Sequence, residues 1–171
     1  MKGTIEVLNE LQRDGVFSRY AIGGAMGAIF YTEPFLTFDV DVFVLHPLQE
    51  NEHDVRGRRW VDCIGRVVTR PSDREIASQC VVVEGVPVQF LPAYNSLIEE
   101  ALNQAQDTTY ENVSTRILRS EYLVAIALQT GRSKDRERVR ILREQAKLDM
   151  NLLAAILKRH QLEEKWKQWT E

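Results

Sequence analysis

"FDVDVFVL", residues 38–45, sets two carboxylates into a segment that is otherwise apolar and rich in valine. Read as a strand, its alternation sends Phe38, Val40, Val42 and Val44 to one side and Asp39, Asp41, Phe43 and Leu45 to the other. At about 3.3 Å of rise per residue, the Cα atoms of the two aspartates lie roughly 6.6 Å apart on one face. They are near enough to repel each other and near enough to share a small cation. An unpaired charge on a half-buried sheet face costs on the order of several kcal/mol. The strand contains no Lys or Arg, so the compensating charge comes from elsewhere. A structural role requires a basic side chain for each acid, and a functional one requires a metal ion.

Upstream of this strand, "TIEVLNELQRDG" (4–15) places Ile5, Leu8 and Leu11 at helical spacing and ends in Gly15, which predicts an amphipathic helix. "RYAIGGAMGAIFY" (19–31) then reads as a strand running through Ile22, a Gly23-Gly24 turn and a short helix over 25–31. Downstream, Pro47 closes the acidic strand, and a polar segment (49–59) leads into a helical "WVDCIG" stopped at Gly65. "RVVTR" (66–70) reads as a strand. "SQCVVVEGVPVQFLP" (78–92) has two β-branched runs around Glu84-Gly85, the pattern of a hairpin.

From about residue 95 the composition turns helical. Helices are predicted over "SLIEEALNQAQ" (96–106), over "SEYLVAIALQTG" (120–131) with a Ser120 cap and Gly131 stop, over "SKDRERVRILREQ" (133–145) and over "DMNLLAAILKRHQLEEKWKQW" (149–169). The first two are joined by a polar connector. A boundary at 107–114 therefore divides an α/β half, residues 1–107, from a helical region, residues 108–171.

The chain has 171 residues, 44% hydrophobic and 27% charged, enough for one substantial core. Its formal net charge of −3 gives no global attraction for nucleic acid, so any phosphate binding is local. Short apolar runs and the lack of a basic head with an apolar core predict a cytoplasmic protein with no membrane partner. Cys63 and Cys80 lack metal spacing and read as reduced thiols. His46, His53 and His160 share no motif, and Trp60, Trp166 and Trp169 read as packing aromatics. The amphipathic "KRHQLEEKWKQW" suits a helix-packing surface, either within a homodimer or against a protein partner.

"IGGAMG" followed by "FDVDVF", with Gly24 and Asp39 fifteen positions apart, resembles the polymerase-β-type nucleotidyltransferases. "VEGVPVQFLPAY" and "SEYLVAIALQTGRSKDRERVRIL" look like the hairpin and helical signature of that superfamily's minimal, AbiEii-like branch. The matching segments run from about residue 20 to 142.

This resemblance implies an α+β (α/β) fold, with a small mixed sheet and flanking helices of nucleotidyltransferase type followed by a C-terminal helical bundle. It implies Mg²⁺ or Mn²⁺ held by Asp39 and Asp41, and phosphate contacts from Gly23, Gly24, Arg132 and Lys134. The implied activity is transfer of a nucleoside monophosphate from Mg·NTP to a hydroxyl on protein, RNA or a small molecule. Two positions depart from the branch. Gln89 stands where a third carboxylate is usual, and a neutral amide is neither a carboxylate ligand nor a general base. Glu84, across the hairpin turn, substitutes for it only if strand pairing brings it to the same face. Ala127 stands where a lysine is frequent. The alternative is a catalytically silent nucleotide-binding or interaction module, such as a toxin–antitoxin partner, that has lost the third metal carboxylate.

Overall fold

The computed structural model describes residues 1–34, 36–37, 39–45 and 81–171. The expectations for Pro47, the helix ending at Gly65, the strand at 66–70, His46, His53, Trp60, Cys63 and Cys80 lie outside the described residues. The described residues form a mixed α/β structure in the order α1 (Lys2–Arg13), β1 (Arg19–Ile22), α2 (Gly24–Ile29), β2 (Val40–Leu45), β3 (Val81–Val83), β4 (Val86–Pro92), α3 (Ser96–Asn103), β5 (Gln106–Tyr110), β6 (Val113–Ile117), α4 (Ser120–Thr130), α5 (Ser133–Gln145), α6 (Met150–Arg159) and α7 (Glu163–Thr170). No described helix is long and apolar enough to cross a membrane.

The six strands make one sheet in the order β3-β4-β2-β1-β6-β5. β1 runs antiparallel to β2, and β2 runs parallel to β4 with Asp41 opposite Gln89. β3 and β4 form the expected hairpin, turning at Glu84 and Gly85, whose φ angles are 50° and 78°. Two consecutive positive-φ residues suit a tight hairpin of this hand.

Alternation along β2 builds the two cores. Val40, Val42 and Val44 join Ile5 and Leu8 of α1, Tyr20 and Ile22 of β1, and Val88 and Phe90 of β4 on one face. Phe43 joins Ala21, Leu118 and the apolar faces of α3, α4, α5 and α6 on the other. The side packed by α3–α6 is therefore the side that carries Asp41. Trp166 and Trp169 of α7 pack against this second core, as expected of packing aromatics.

Two segments differ from their sequence reading. The polar connector is the hairpin β5–β6, in which Glu111 and Asn112 turn with φ of 48° and 66°. Its second strand pairs parallel to β1 through Ile22 and Ile117, so the boundary placed at 107–114 falls within a hairpin of the same sheet. The final helical stretch is two helices. The chain turns at Gln161, φ 56°, where no Gly or Pro marks the break.

Polar side chains tie the helices together. Glu121 is 3% exposed, and it accepts the Asp149 N–H at 2.8 Å, joining α4 to the start of α6. Glu100 of α3 accepts from Tyr122 at 2.8 Å, from Arg159, and pairs with His160 at 2.9 Å.

Candidate functional site

The site begins at the turn between β1 and α2. Gly23 donates its N–H to the Asp41 carbonyl at 2.9 Å, which locks the turn to the acidic strand. A Cβ on Gly23 would overlap the Phe43 ring, 2.7 Å from its Cδ2, and lie 2.9 Å from Leu118 Cδ1. Gly24 has φ +56°, and a Cβ there would overlap the Asp41 carboxylate, 2.6 Å from Cγ and 2.8 Å from Cβ. Only a residue without a side chain both adopts that backbone and lets the carboxylate lie against it. The turn and Asp41 thus form one packed unit.

Asp41 lies in β2 on the same face as Phe43, and Asp39 lies just before the strand begins. Thr37 fixes Asp39 by donating its hydroxyl to the Asp39 carbonyl at 3.2 Å and carboxylate at 3.4 Å. Burial raises the Asp41 pKa, and the Asp39 charge raises it further; Arg138, Arg132 and Lys134 oppose the shift. The cations anticipated from the bare strand come from α5, about ninety residues downstream in the chain.

A buried acid organises α5. Asp135 is fully buried, and its carboxylate receives the Arg132 N–H at 3.2 Å, the Arg132 guanidinium at 2.7 and 3.1 Å and Arg138 Nη1 at 3.3 Å. Asp135 is thereby an interior hub that fixes two guanidinium groups. Arg138 was not anticipated. Its signal in the sequence is its i+3 spacing from Asp135, which brings the pair together on one helix face.

Two cavities flank the acidic pair. The first, 140 Å³, is lined by Gly24, Asp41, Gln89, Arg132, Asp135 and Arg138, with Tyr94, 68% exposed, among its other wall residues. The second, 330 Å³, is lined by Thr37, Asp39, Lys134 and Arg138 among others. Of the residues picked out in the sequence, Gly24, Asp41, Gln89 and Arg132 therefore share one cavity. Asp39 and Lys134 share the other, and Gly23 has committed its N–H to the sheet. Glu84 is elsewhere. Its Cγ lies 3.2 Å from where a Cβ on Gly3 of α1 would be, on the α1 side of the sheet. The condition for Glu84 to act as third ligand, a shared face with Asp41, is not met.

Counted together with the Glu137–Arg140 pair at the second cavity, Asp39, Asp41 and Asp135 stand beside Arg132, Lys134 and Arg138, four acids with four bases. The charges balance, with a cation-seeking carboxylate pair set directly against an anion-seeking helix face. Among the described residues no group of three His, Cys, Asp or Glu side chains is placed to hold a metal. No protein-family model matches the sequence, and no curated protein matches it.

Proposed function

We propose that the chain is a nucleotidyltransferase-type protein that binds a nucleoside triphosphate with Mg²⁺ or Mn²⁺ and transfers the nucleoside monophosphate to a hydroxyl. The observation that carries this reading is the packing of Gly24 on the Asp41 carboxylate at a cavity walled by Arg132 and Arg138. A ligand that combines a hard cation with a polyanion matches a site whose acids and bases stand side by side at zero net charge. The mixed sheet supports it too, since the glycine turn, the short helix and the acidic strand follow in the order the resemblance requires. In this reading the C-terminal helices take the part of the implied bundle, α4 and α5 contributing Ala127, Thr130, Asp135 and Arg138 to the wall of the first cavity.

The donor set fits the metal. The carboxylates of Asp41 in β2 and of Asp39 just before it, with the Gln89 amide in register beside Asp41, are hard oxygen donors, and a divalent cation offsets the Asp39 repulsion that adds to burial in raising the Asp41 pKa. Asp39 and Asp41 would hold it, and when bound it supplies charge neutralisation for the reacting phosphate. Arg132 and Arg138, fixed by Asp135, orient the phosphates, because guanidinium forks held by a buried acid need no reorganisation when an anion arrives.

One observation favours the silent-module alternative. Gln89 lies directly across from Asp41 in the β2–β4 ladder, where a third carboxylate would complete the metal site. Metal anchoring by Asp39 and Asp41 survives this change, whereas activation of the attacking hydroxyl is weakened. The two readings are separated by incubating the protein with each α-labelled NTP and Mg²⁺ or Mn²⁺, together with the Gln89→Asp variant. An enzyme transfers label as wild type. A silent module does not, yet it shows an NTP-dependent rise in melting temperature. At one hundred times Kd that stabilisation is about 2.7 kcal/mol, roughly 5–11 °C for a domain of this size. It requires a divalent cation and disappears in the Asp39→Asn/Asp41→Asn double variant. Equal stabilisation by NTP in EDTA overturns the metal–nucleotide reading.

A further inference from the structure

Among the described residues the sheet ends at β5, which pairs with β6 alone. The hairpin closes in a two-residue turn with both φ angles positive, so Tyr110 and Val113 form its last hydrogen-bonded pair. Such pairs alternate along an antiparallel ladder, so Thr108 with Thr115 and Gln106 with Ile117 make the other bonds to β6. The opposite side of β6 agrees: the Ser114 carbonyl accepts from Asn9 at 2.8 Å, and Leu118 donates to the Ile22 carbonyl at 3.0 Å. By the same alternation, the N–H and C=O groups of Asp107 and Thr109 point outward from the sheet.

Folded proteins blunt such an edge with lysine, proline, a bulge or a covering element. The β5 sequence, Gln-Asp-Thr-Thr-Tyr, contains neither Lys nor Pro, and its five pairs with β6 run consecutively without a bulge. Its one charge, Asp107, has Arg116 Nε of the same chain 3.0 Å away. Helix α1 stands off from the strand, since a 720 Å³ cleft opens between them, lined by Gln12 and Arg13 on one side and Thr108 and Thr109 on the other. No residue of β5 is buried, so its strand-favouring Thr, Thr and Tyr serve no core of this chain.

We propose that β5 is a self-association edge: a second copy of the chain adds its own β5 antiparallel, with the two-fold axis at Thr108, and joins two six-stranded sheets into one. The side chains select that register. A two-fold at Asp107 would set Asp107 against its own counterpart, and one at Thr109 would set Asp107 against Glu111 of the other copy. A two-fold at Thr108 sets Asp107 against Thr109, Gln106 against Tyr110 and Thr108 against itself, with no like charges opposed. It also joins the outward groups of Asp107 to those of Thr109, four backbone hydrogen bonds in all. One short strand pair lies at the small end of protein interfaces, so the dimer forms reversibly with concentration. β1 and β6 stand between β5 and the acidic strand, so the carboxylate site stays open in the dimer.

Sedimentation velocity of the full chain over a concentration series reads the association directly. Wild type is expected to pass from a 19.7 kDa monomer to a dimer of twice that mass as concentration rises. Thr109→Pro removes an outward N–H and spares the bonds of Thr108 and Tyr110 to β6, so it should raise the dimer dissociation constant about tenfold or more. Thr109→Ala keeps the N–H and should stay within about threefold of wild type. Thr108→Lys and Thr108→Glu each set like charges across the axis and should each weaken the dimer about fivefold, whereas an equimolar mixture of the two should form a heterodimer at least as tight as wild type. This charge pair decides the matter even where circular dichroism shows that Thr109→Pro has not folded. A chain that stays monomeric at every concentration overturns the proposal and leaves the edge to a strand of a different protein. A dimer that survives in folded Thr109→Pro, or that is equally tight in Thr108→Lys, Thr108→Glu and their mixture, uses another surface and overturns it as well.

Discussion

Replacing Gly24 with alanine puts a methyl group where the Asp41 carboxylate already lies. Two costs combine. The first is conformational, because at φ +56° an L-residue loses roughly 1–2 kcal/mol in the left-handed region. The second is steric, since the added Cβ would be 2.6 Å from Asp41 Cγ, and overpacking of this kind costs about 1–3 kcal/mol. Together they predict a loss of about 2–5 kcal/mol, or roughly 4–20 °C in melting temperature. Gly85 supplies the internal control. Its φ is +78°, and a Cβ there has nothing within 4 Å, so Gly85→Ala isolates the conformational cost of about 1–2 kcal/mol. Thermal and urea unfolding followed by circular dichroism give both numbers. In an Asp41→Gly background the excess cost of Gly24→Ala should vanish and the two alanine substitutions should become equivalent. Equal losses for the two in the wild-type background, or an excess that survives removal of the Asp41 side chain, would refute the claim that turn and carboxylate are packed as one unit.

Asp41→Asn should raise the melting temperature of the ligand-free protein near neutral pH and leave it unchanged in acid. The folded-state pKa lies above the ordinary value of 3.8, so the native state binds more protons across that window and stability falls as pH rises through it; a pH series of melts on variant and wild type checks the sign. Asp135→Asn should destabilise by about 3 kcal/mol, the lower end for breaking a buried ion pair because the Arg132 side chain is 53% exposed. Denaturant unfolding measures this, and the same variant should lose the melting shift with Mg·NTP. Glu84→Gln should leave both Mg·NTP stabilisation and label transfer at wild-type levels, since its side chain sits against α1; a fall in either would place Glu84 at the site after all.

The parts of the fold that could be read from the sequence are those fixed by short-range rules. Alternation in 38–45 correctly assigned Val40, Val42 and Val44 to one core and Phe43 to the other. Glu84-Gly85 marked its hairpin because two positive-φ residues between β-branched runs leave few other solutions. The β5–β6 hairpin was missed because its strands bury little: of 113–117, only Thr115 and Ile117 are buried. A Glu-Asn turn flanked by Thr, Tyr and Val was the available signal. The parallel pairing of β1 with β6 has no local signature, since it joins segments about ninety residues apart. The same limit applies at the site. Arg138 and Asp135 read as surface charges on a polar helix until the fold sets them over Asp41, and burial rather than residue type then determines what they do.

The separation of the acids from their counter-charges has a consequence during synthesis. Arg132 follows Asp41 by ninety-one positions, so at about 5–20 residues per second the ribosome releases the acidic strand roughly 5–20 s before the first of the cations at the start of α5. β1 and β2 can pair in that interval, and β6 follows before residue 132, but the carboxylates still lack their helix. A chain halted before residue 132 therefore presents a glycine turn and two acids without the cations that oppose their charge. In such a nascent intermediate the cavity that Asp41 shares with Arg132 and Arg138 does not exist until α5 has been translated.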